Sequence, residues 1–557
     1  MALHLPRIPL SPVLAKLPPL HLKNPTDYNL AFGTLGLIIL VLTAPHTGGW
    51  RLLRLGVIAP LCIGVFGYLI LCTEDEHDFN QWGVATLMGS FIMRIWEFFI
   101  FFPPEENCHR LLPRSQVHPT PSSNGHLDAK KSDSSTHQPK KTDDEVLIPE
   151  PIPPPFTLAK FYWSFSLWFS YRGIGWNTTC PLSPSSRQHP YIRQSSRKHF
   201  AFVQMRKWII SYLVDDFFRS IRNIYSAQFF SGLPGAIPYT HLSQFERGLN
   251  STAVVVRIYF SLVNSHIAMS IICVIIGGIL GWETEMFAPW GWPPLFGDLG
   301  ELWKYPGLST LWSRTWQGYN RRWLYVLGWI GIGENILGLT HTGISSHPTI
   351  PPVPKSQTLS NGNGASSPSN PSGQITPSHP LPTSPLPPID PHPNSPRSIR
   401  RKMSTRLMVQ NLIKSFITFL LSGLSHDIGS LALILKNHRH QEIYLSDVLR
   451  LTPFFIVQPF ALAFEALIKT HWRTWKANHH PTWSKHREGR GGERGNEPGW
   501  LVLTERLVGF IWTWTWLGYT ARFFVEGTAQ LGAFRRDGGR ELFWTFWGGV
   551  IWGKWYI

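Results

Sequence analysis

Apolar residues along this chain fall into blocks of roughly bilayer length, separated by polar stretches of uneven size. The blocks are Tyr28–Thr43, Leu55–Cys72, Gly83–Phe102, Ala253–Leu280, Trp323–Leu339, Val448–Leu467 and Leu501–Val525, with an aromatic terminal segment at Leu542–Trp555. A helix needs about 20 mainly apolar residues to cross a bilayer, so Tyr28–Thr43 sits near the lower limit. Ala201–Ile221 is a weaker candidate, burdened by Arg206, Lys207, Asp215, Asp216 and Arg219. The third block carries Arg94 and Glu97, three apart on a helix, where they can pair and lower the cost of burial. The pattern predicts an all-α, multi-pass membrane protein of about eight to ten transmembrane helices.

The polar breaks divide the chain further. Residues 1–102 hold the N-terminal transmembrane segments. Residues 103–155 are rich in Pro, Ser, Lys and Asp and predict a disordered insert. Residues 343–400 are low-complexity Ser, Pro, Asn and Gly and predict a second. Arg51 and Arg54 lie between the first two blocks, and Glu74, Asp75, Glu76 and Asp78 between the second and third. Basic loops prefer the cytosol, which places the N-terminus in the lumen and residue 103 in the cytosol. The same bias puts both inserts, the basic cluster around Arg400 and Arg401, and the loop 468–499 on the cytosolic side. Phe156–Ser170 is aromatic and runs into a basic residue, which predicts a helix lying in the membrane interface. Asn177-Thr-Thr is a glycosylation sequon, and a cytosolic position leaves it unused. Asn250-Ser-Thr is a second sequon.

One further apolar run carries the candidate chemistry. From Asn411 to Gly429 most positions are Leu, Ile or Phe, yet Asn411, Ser415, Thr418, Ser422 and His426 recur at steps of three and four. That spacing sets them in one stripe on a helix. Lipid offers polar groups no partner, so the stripe must face protein or a water-filled cavity. An ionisable residue at that depth is a functional candidate, and imidazole titrates near working pH. The plain structural alternative is a histidine that packs one helix against another. Asp427, next in sequence, points about 100° away on a helix and is a poor partner for the ring.

Composition sharpens the class. The 557 residues include 26 Trp and 34 Phe, which suits membrane-interface belts. Mean hydropathy is only −0.06, because the polar inserts dilute the apolar blocks. The net charge of +17 sits mainly in loops beside those blocks, so anionic lipid explains it without nucleic acid. The five cysteines (Cys62, Cys72, Cys108, Cys180 and Cys273) form no metal or disulfide pattern. Met1 to Asp27 is Pro-rich and lacks a signal-peptide pattern, so insertion is expected to use the first transmembrane segment. No internal repeat is visible, which weakens a transporter reading.

Two more segments stand out. Pro289-Trp-Gly-Trp-Pro-Pro-Leu-Phe-Gly297 has too much Pro and Gly for a helix and suits backbone bordering a cavity. In Leu308 to Arg322, Trp312, Trp316 and Tyr319 share one helix face by spacing, with Arg314 and Gln317 on another. Taken with Arg172-Gly-Ile-Gly-Trp176 and Ser422-Gly-Leu-Ser-His426, these segments resemble the membrane-bound O-acyltransferases, in particular the wax-synthase-like branch of fungi and plants. The family pattern at the third site is like Ser-Leu-x-x-Phe-Trp-Gly-Arg-x-Trp-His-Gln. This chain keeps both Trp and the Arg but has Leu311-Trp312-Ser313, and Gln317 where the family has His or Asn. Gln donates and accepts hydrogen bonds but does not titrate.

The resemblance implies one acyltransferase core formed by 156–342 and 401–557 around an internal tunnel, integral to the endoplasmic reticulum membrane. It implies transfer from an acyl-coenzyme A co-substrate to a lipophilic alcohol, with no bound cofactor, metal or nucleic acid; oligomeric state is left open. His426 would be the general base and Gln317 a second catalytic residue. Trp312, Arg314, Trp316, Ser422 and Arg172 would bind the substrates, Ser422 also orienting the ring. The acceptor is either a long-chain alcohol, giving a wax ester, or a terpenoid or polyketide hydroxyl. A transporter or channel using His426 as a proton relay is the competing class.

Overall fold

The structure is a computed structural model that describes residues 8–113, 147–178, 190–226, 228–231, 237–316, 318–339, 405–438, 441–480, 497–534 and 545–553. Met1–Thr340 and Gln410–Ile557 make one compact unit and His341–Val409 another. The expected insert at 343–400, the cluster around Arg400, and Cys180 lie outside the described residues.

The protein is mostly helical. Its main helices are α1 (Pro25–Val41), α2 (Gly48–Cys72), α3 (Asp78–Phe101), α4 (Leu158–Phe169), α5 (Arg197–Tyr225), α6 (Gln244–Leu280), α7 (Leu308–Thr310, continued by Leu311–Thr315), α8 (Arg321–Trp323, continued by Leu324–Ile336), α9 (Thr405–His438), α10 (Thr452–Ile456), α11 (Gln458–His479), α12 (Gly499–Gln530) and α13 (Phe546–Trp552). Among the described residues, five stretches are long and apolar enough to cross a membrane: α2, α3, α6, α9 and the Thr452–His479 pair formed by α10 and α11. That is fewer than the blocks of sequence suggest. At 17 residues α1 is at the lower limit for a span, and α12 has the length but is interrupted by Trp, Thr and Gly. The weaker candidate at 201–221 is amphipathic in α5, which packs along α6. There Asp215 pairs with Arg257, and Ser211 donates to Asn264.

The two larger of four apolar clusters among the described residues organise the unit. The first joins Ile38 and Ile39 of α1, Phe66 of α2 and Phe98 of α3 to Trp163 and Trp168 of α4. The aromatic helix expected at 156–170 thus packs one face on protein. Trp163, Leu167 and Trp168 are buried, because α1, α2 and α3 cover that face, while Phe156, Leu158 and Tyr162 remain outward. The second core joins Trp82 of α3 to Leu433 and Ile434 of α9 and Val525 of α12.

The pairing expected of Arg94 and Glu97 is present, at 3.5 Å, and Arg322 adds a second cation at 2.7 Å from Glu97. Arg94 also donates to the carbonyls of Leu167, Trp168 and Ser170, which accept where α4 runs out of its own N–H partners. Arg322 opens α8, so this buried triad ties the segment after Trp316 to α3.

The stretch 103–155 has regular structure at both ends, where β1 (Leu111–Pro113) pairs antiparallel with β2 (Leu147–Pro149), and its middle, 114–146, lies outside the described residues. Asn177 closes that region. Its Oδ1 accepts the His109 N–H (2.8 Å) and its Nδ2 donates to the Asn107 carbonyl (3.1 Å). With both ends of the amide engaged, we expect no glycan at Asn177. A mass shift on glycosidase treatment that disappears in Asn177→Gln would overturn this assignment and the cytosolic placement with it.

Candidate active site

The helix α9 is the element around which the site is built. It approaches its neighbours at glycines, as small residues allow between helices in a membrane. A Cβ on Gly423 would stand 2.7 Å from the Thr452 hydroxyl, and one on Gly429 would stand 2.5 Å from the Trp82 ring. On facing helices, Gly89 of α3 accommodates Ile428, and a Cβ on Gly328 of α8 would stand 3.0 Å from the Thr418 backbone. Lys414, fully buried, pairs with Glu334 at 2.7 Å, so the charge on this helix is compensated. The residues of the polar stripe, Asn411, Ser415, Thr418, Ser422 and His426, are all half-buried, as expected of a face that abuts other helices.

His426 is held by aromatic rings. Phe455 stacks on one face at 4.9 Å and 11°, and Trp82 stacks at 5.8 Å and 20°. Phe524 meets it edge-on at 5.9 Å. The ring keeps accessible surface, but Nδ1 is buried and has no hydrogen-bond partner among the described residues. No hydrogen bond joins Ser422 to the ring. The Ser422 carbonyl accepts from Ser425 at 2.7 Å, and stacking rather than Ser422 sets the ring plane.

Asp427 does not touch the imidazole, as its position on the helix requires. Its buried carboxylate instead accepts the N–H groups of Leu451 (3.0 Å) and Thr452 (3.1 Å) and the Thr452 hydroxyl. Those are the donors that the start of α10 leaves without a partner of its own. Since α10 carries Phe454 and Phe455, this clamp fixes the ring that stacks on His426.

An aromatic wall leads from there to the tryptophan segment. Phe454 lies 5.0 Å from Phe455 and 6.1 Å from Trp312. Trp312 also meets Phe419 of α9 at 5.4 Å and Trp316 at 6.1 Å. Trp316 continues to Phe296 at 5.5 Å, and Phe296 to Tyr259 of α6 at 4.2 Å. The structure thus brings Trp312 and Trp316 into one wall with His426, although they lie far from it in sequence.

The expected common face of Trp312, Trp316 and Tyr319 is not formed. Residues Leu311–Thr315 wind with i→i+5 bonding, closed by Trp316 N–H on the Leu311 carbonyl at 2.7 Å, and Trp316 itself is extended. Tyr319, past that break, stacks on Tyr171 at 4.8 Å in the first core. Short runs of such wide helix occur often at functional sites.

The Pro-Gly loop is non-helical apart from one turn at Pro289–Gly291. Two backbone bonds seat it on the tryptophan segment, Gly297 N–H to Thr315 (3.0 Å) and Gly318 N–H to Leu295 (2.9 Å). The Pro293 carbonyl accepts Arg172 Nη1 at 2.7 Å, and the His266 Nε2 of α6 lies 3.1 Å from it. Arg172 therefore braces the loop. Trp176, the end of its motif, donates to the buried Glu285 at 2.8 Å. Arg314 is 53% exposed and 3.8 Å from Glu301, so it faces the surface and not the histidine. Gln317 lies outside the described residues.

Glu465 of α11 is a residue the sequence reading passed over. It accepts the Leu308 N–H (2.6 Å) and the Ser309 hydroxyl (2.6 Å), pairs with Lys469 (2.7 Å), and so pins the start of the tryptophan segment. Gly307, at φ +148°, leaves room for this carboxylate: a Cβ would stand 2.4 Å from Oε1. A carboxylate inside an apolar block was the available signal.

The chain is 25% identical over 290 residues to a protein of Penicillium terrestre named O-Mevalon transferase macI, over 51% of this chain. It spans about half the length of that relative, 55%. No protein-family model matches the chain, and no solved structure matches it.

Proposed function

We propose that this protein is an acyl-coenzyme A-dependent O-acyltransferase of the endoplasmic reticulum membrane, acting on a lipophilic alcohol. The observation that carries the reading is the placement of His426: an imidazole with partial access, clasped by Phe455 and Trp82, at one end of an aromatic wall that includes Trp312 and Trp316. The partial likeness to a transferase supports group transfer in general terms, and the helices able to cross a membrane support a lipophilic acceptor.

In this reading the imidazole takes the proton of the acceptor hydroxyl as its oxygen attacks the thioester carbonyl. The tetrahedral intermediate then expels the thiolate of coenzyme A, which leaves with the proton from the imidazolium. No acyl-enzyme is required. The amide of Gln317, next to Trp316, would donate to the oxyanion. Arg314, being exposed, suits the phosphates of coenzyme A better than the reacting carbonyl. The aromatic wall would line a dry tunnel that limits hydrolysis of the thioester. Ser422, half-buried one turn before His426, and Arg172, through the loop it braces, would bound the acceptor side. A terpenoid or polyketide hydroxyl and a long-chain alcohol are the two acceptor classes.

The test is ester formation in membranes that contain the protein, given labelled acetyl- or palmitoyl-coenzyme A and a panel of fatty and terpenoid alcohols. Product above matched control membranes is expected, and the preferred donor separates acetylation from wax-ester synthesis. Proton-coupled uptake with no ester would overturn the reading in favour of a relay.

A further inference from the structure

Three buried polar atoms with no hydrogen-bond partner among the described residues lie within one turn of α9: His426 Nδ1, Ser430 Oγ and the indole Nε1 of Trp82. Ser430 is 0% exposed. It stands four residues after His426, so its side chain tilts back along the helix over the histidine. The Trp82 Nε1 is so close to this stretch that a Cβ on Gly429 would come within 2.7 Å of it. Buried polar groups are nearly always satisfied, and leaving one unpaired costs more than an ordinary hydrogen bond contributes. Two of these groups are complementary: an imidazole Nδ1–H needs an acceptor, and a serine oxygen offers one. The indole N–H adds a second donor to a water between them.

We propose that Ser430, with Trp82, fixes the tautomer of His426: the Ser430 oxygen takes up the Nδ1 proton's hydrogen bond across one bridging water, and so leaves the Nε2 lone pair for the substrate. The nitrogen that carries the proton is set by the hydrogen bond its ring partner makes. A general base needs the free lone pair on the nitrogen that faces the reaction, and Nδ1 is the one enclosed by protein. Ser430 is therefore a positioning residue. It extends the polar stripe of Asn411 to His426 by one more step of four. This inference rests on the acyl-transfer reading for its function, though not for its geometry.

The test reads the nucleophilicity of His426 itself. Full-length protein in membranes is treated with diethyl pyrocarbonate across pH, and carbethoxylation of the peptide containing His426 is followed by mass spectrometry. Ser430→Cys keeps the core filled while replacing the hydroxyl with a weak acceptor, and Ser430→Ala removes the acceptor altogether. Both are expected to slow modification about tenfold at the high-pH plateau, the change carried by one hydrogen bond of ordinary net strength. In the ester assay kcat falls by a similar factor, with the KM for the acyl donor unchanged. Wild-type modification rates and pH profile in Ser430→Cys would overturn the proposal. The readout needs no substrate, so an absence of ester in the wild type would count against acyl transfer alone.

Discussion

Replacing His426 by alanine is expected, on the acyl-transfer proposal, to lower ester formation by about 10²–10⁴-fold, the range a positioned general base contributes. The expected loss lies in kcat, because the imidazole acts on a proton that moves only in the transition state. Alanine also opens a space between Phe455 and Trp82, which stack on the ring at 4.9 Å and 5.8 Å. A cavity lined by large rings costs stability, about 2–5 kcal/mol for large-to-alanine changes in cores. His426→Phe separates the two effects. Phenylalanine refills the aromatic sandwich and cannot take a proton, so the variant should stay folded, by size-exclusion profile, and inactive. Turnover in His426→Phe within tenfold of the wild type would remove the histidine as base. Activity lost in alanine and kept in phenylalanine would assign the residue to packing.

Local periodicity made part of this site legible. The stripe from Asn411 to His426 is a regular helical pattern, and α9 forms as that spacing implies. Arg94 and Glu97 pair because both partners lie on one turn. The features that were not legible depend on residues distant in sequence. Trp82, Phe455 and Phe524 come from three other helices to clasp His426. Glu465 meets the backbone of Leu308 and Ser309 across more than 150 positions. Tyr319 departs from the face of Trp312 because the chain leaves the helix at Trp316, a break that spacing alone does not encode. The span count is a related case, since five stretches among the described residues are long and apolar enough to cross a membrane. Apolar blocks such as Trp323–Leu339 read like crossings, yet α8 is shorter than a bilayer requires and is fastened by the buried Arg322 and Lys414–Glu334 pairs.

Asp427→Ala is the change expected to do most to the architecture of the site. The carboxylate is 2% exposed and serves two backbone N–H groups and one hydroxyl at the start of α10. Alanine leaves the Leu451 and Thr452 N–H groups without that acceptor in a buried setting, at about 1–3 kcal/mol for each unsatisfied group. The total, about 2–6 kcal/mol, is a large share of what holds a short helix in register. Phe455 rides on that helix, so the plane of His426 loosens as well, and catalysis falls with stability rather than independently of it. Asp427→Asn distinguishes the parts. Its amide oxygen can still accept, but its NH₂ turns a donor toward donors, so it should fall between wild type and alanine. Thr452→Val removes only the hydroxyl and should cost about 1 kcal/mol. The ordered series in melting temperature, followed by the same order in turnover, is the expected result. Asp427→Ala with wild-type melting and turnover would show that α10 is held by its aromatic contacts alone, and the carboxylate would lose its place in the site.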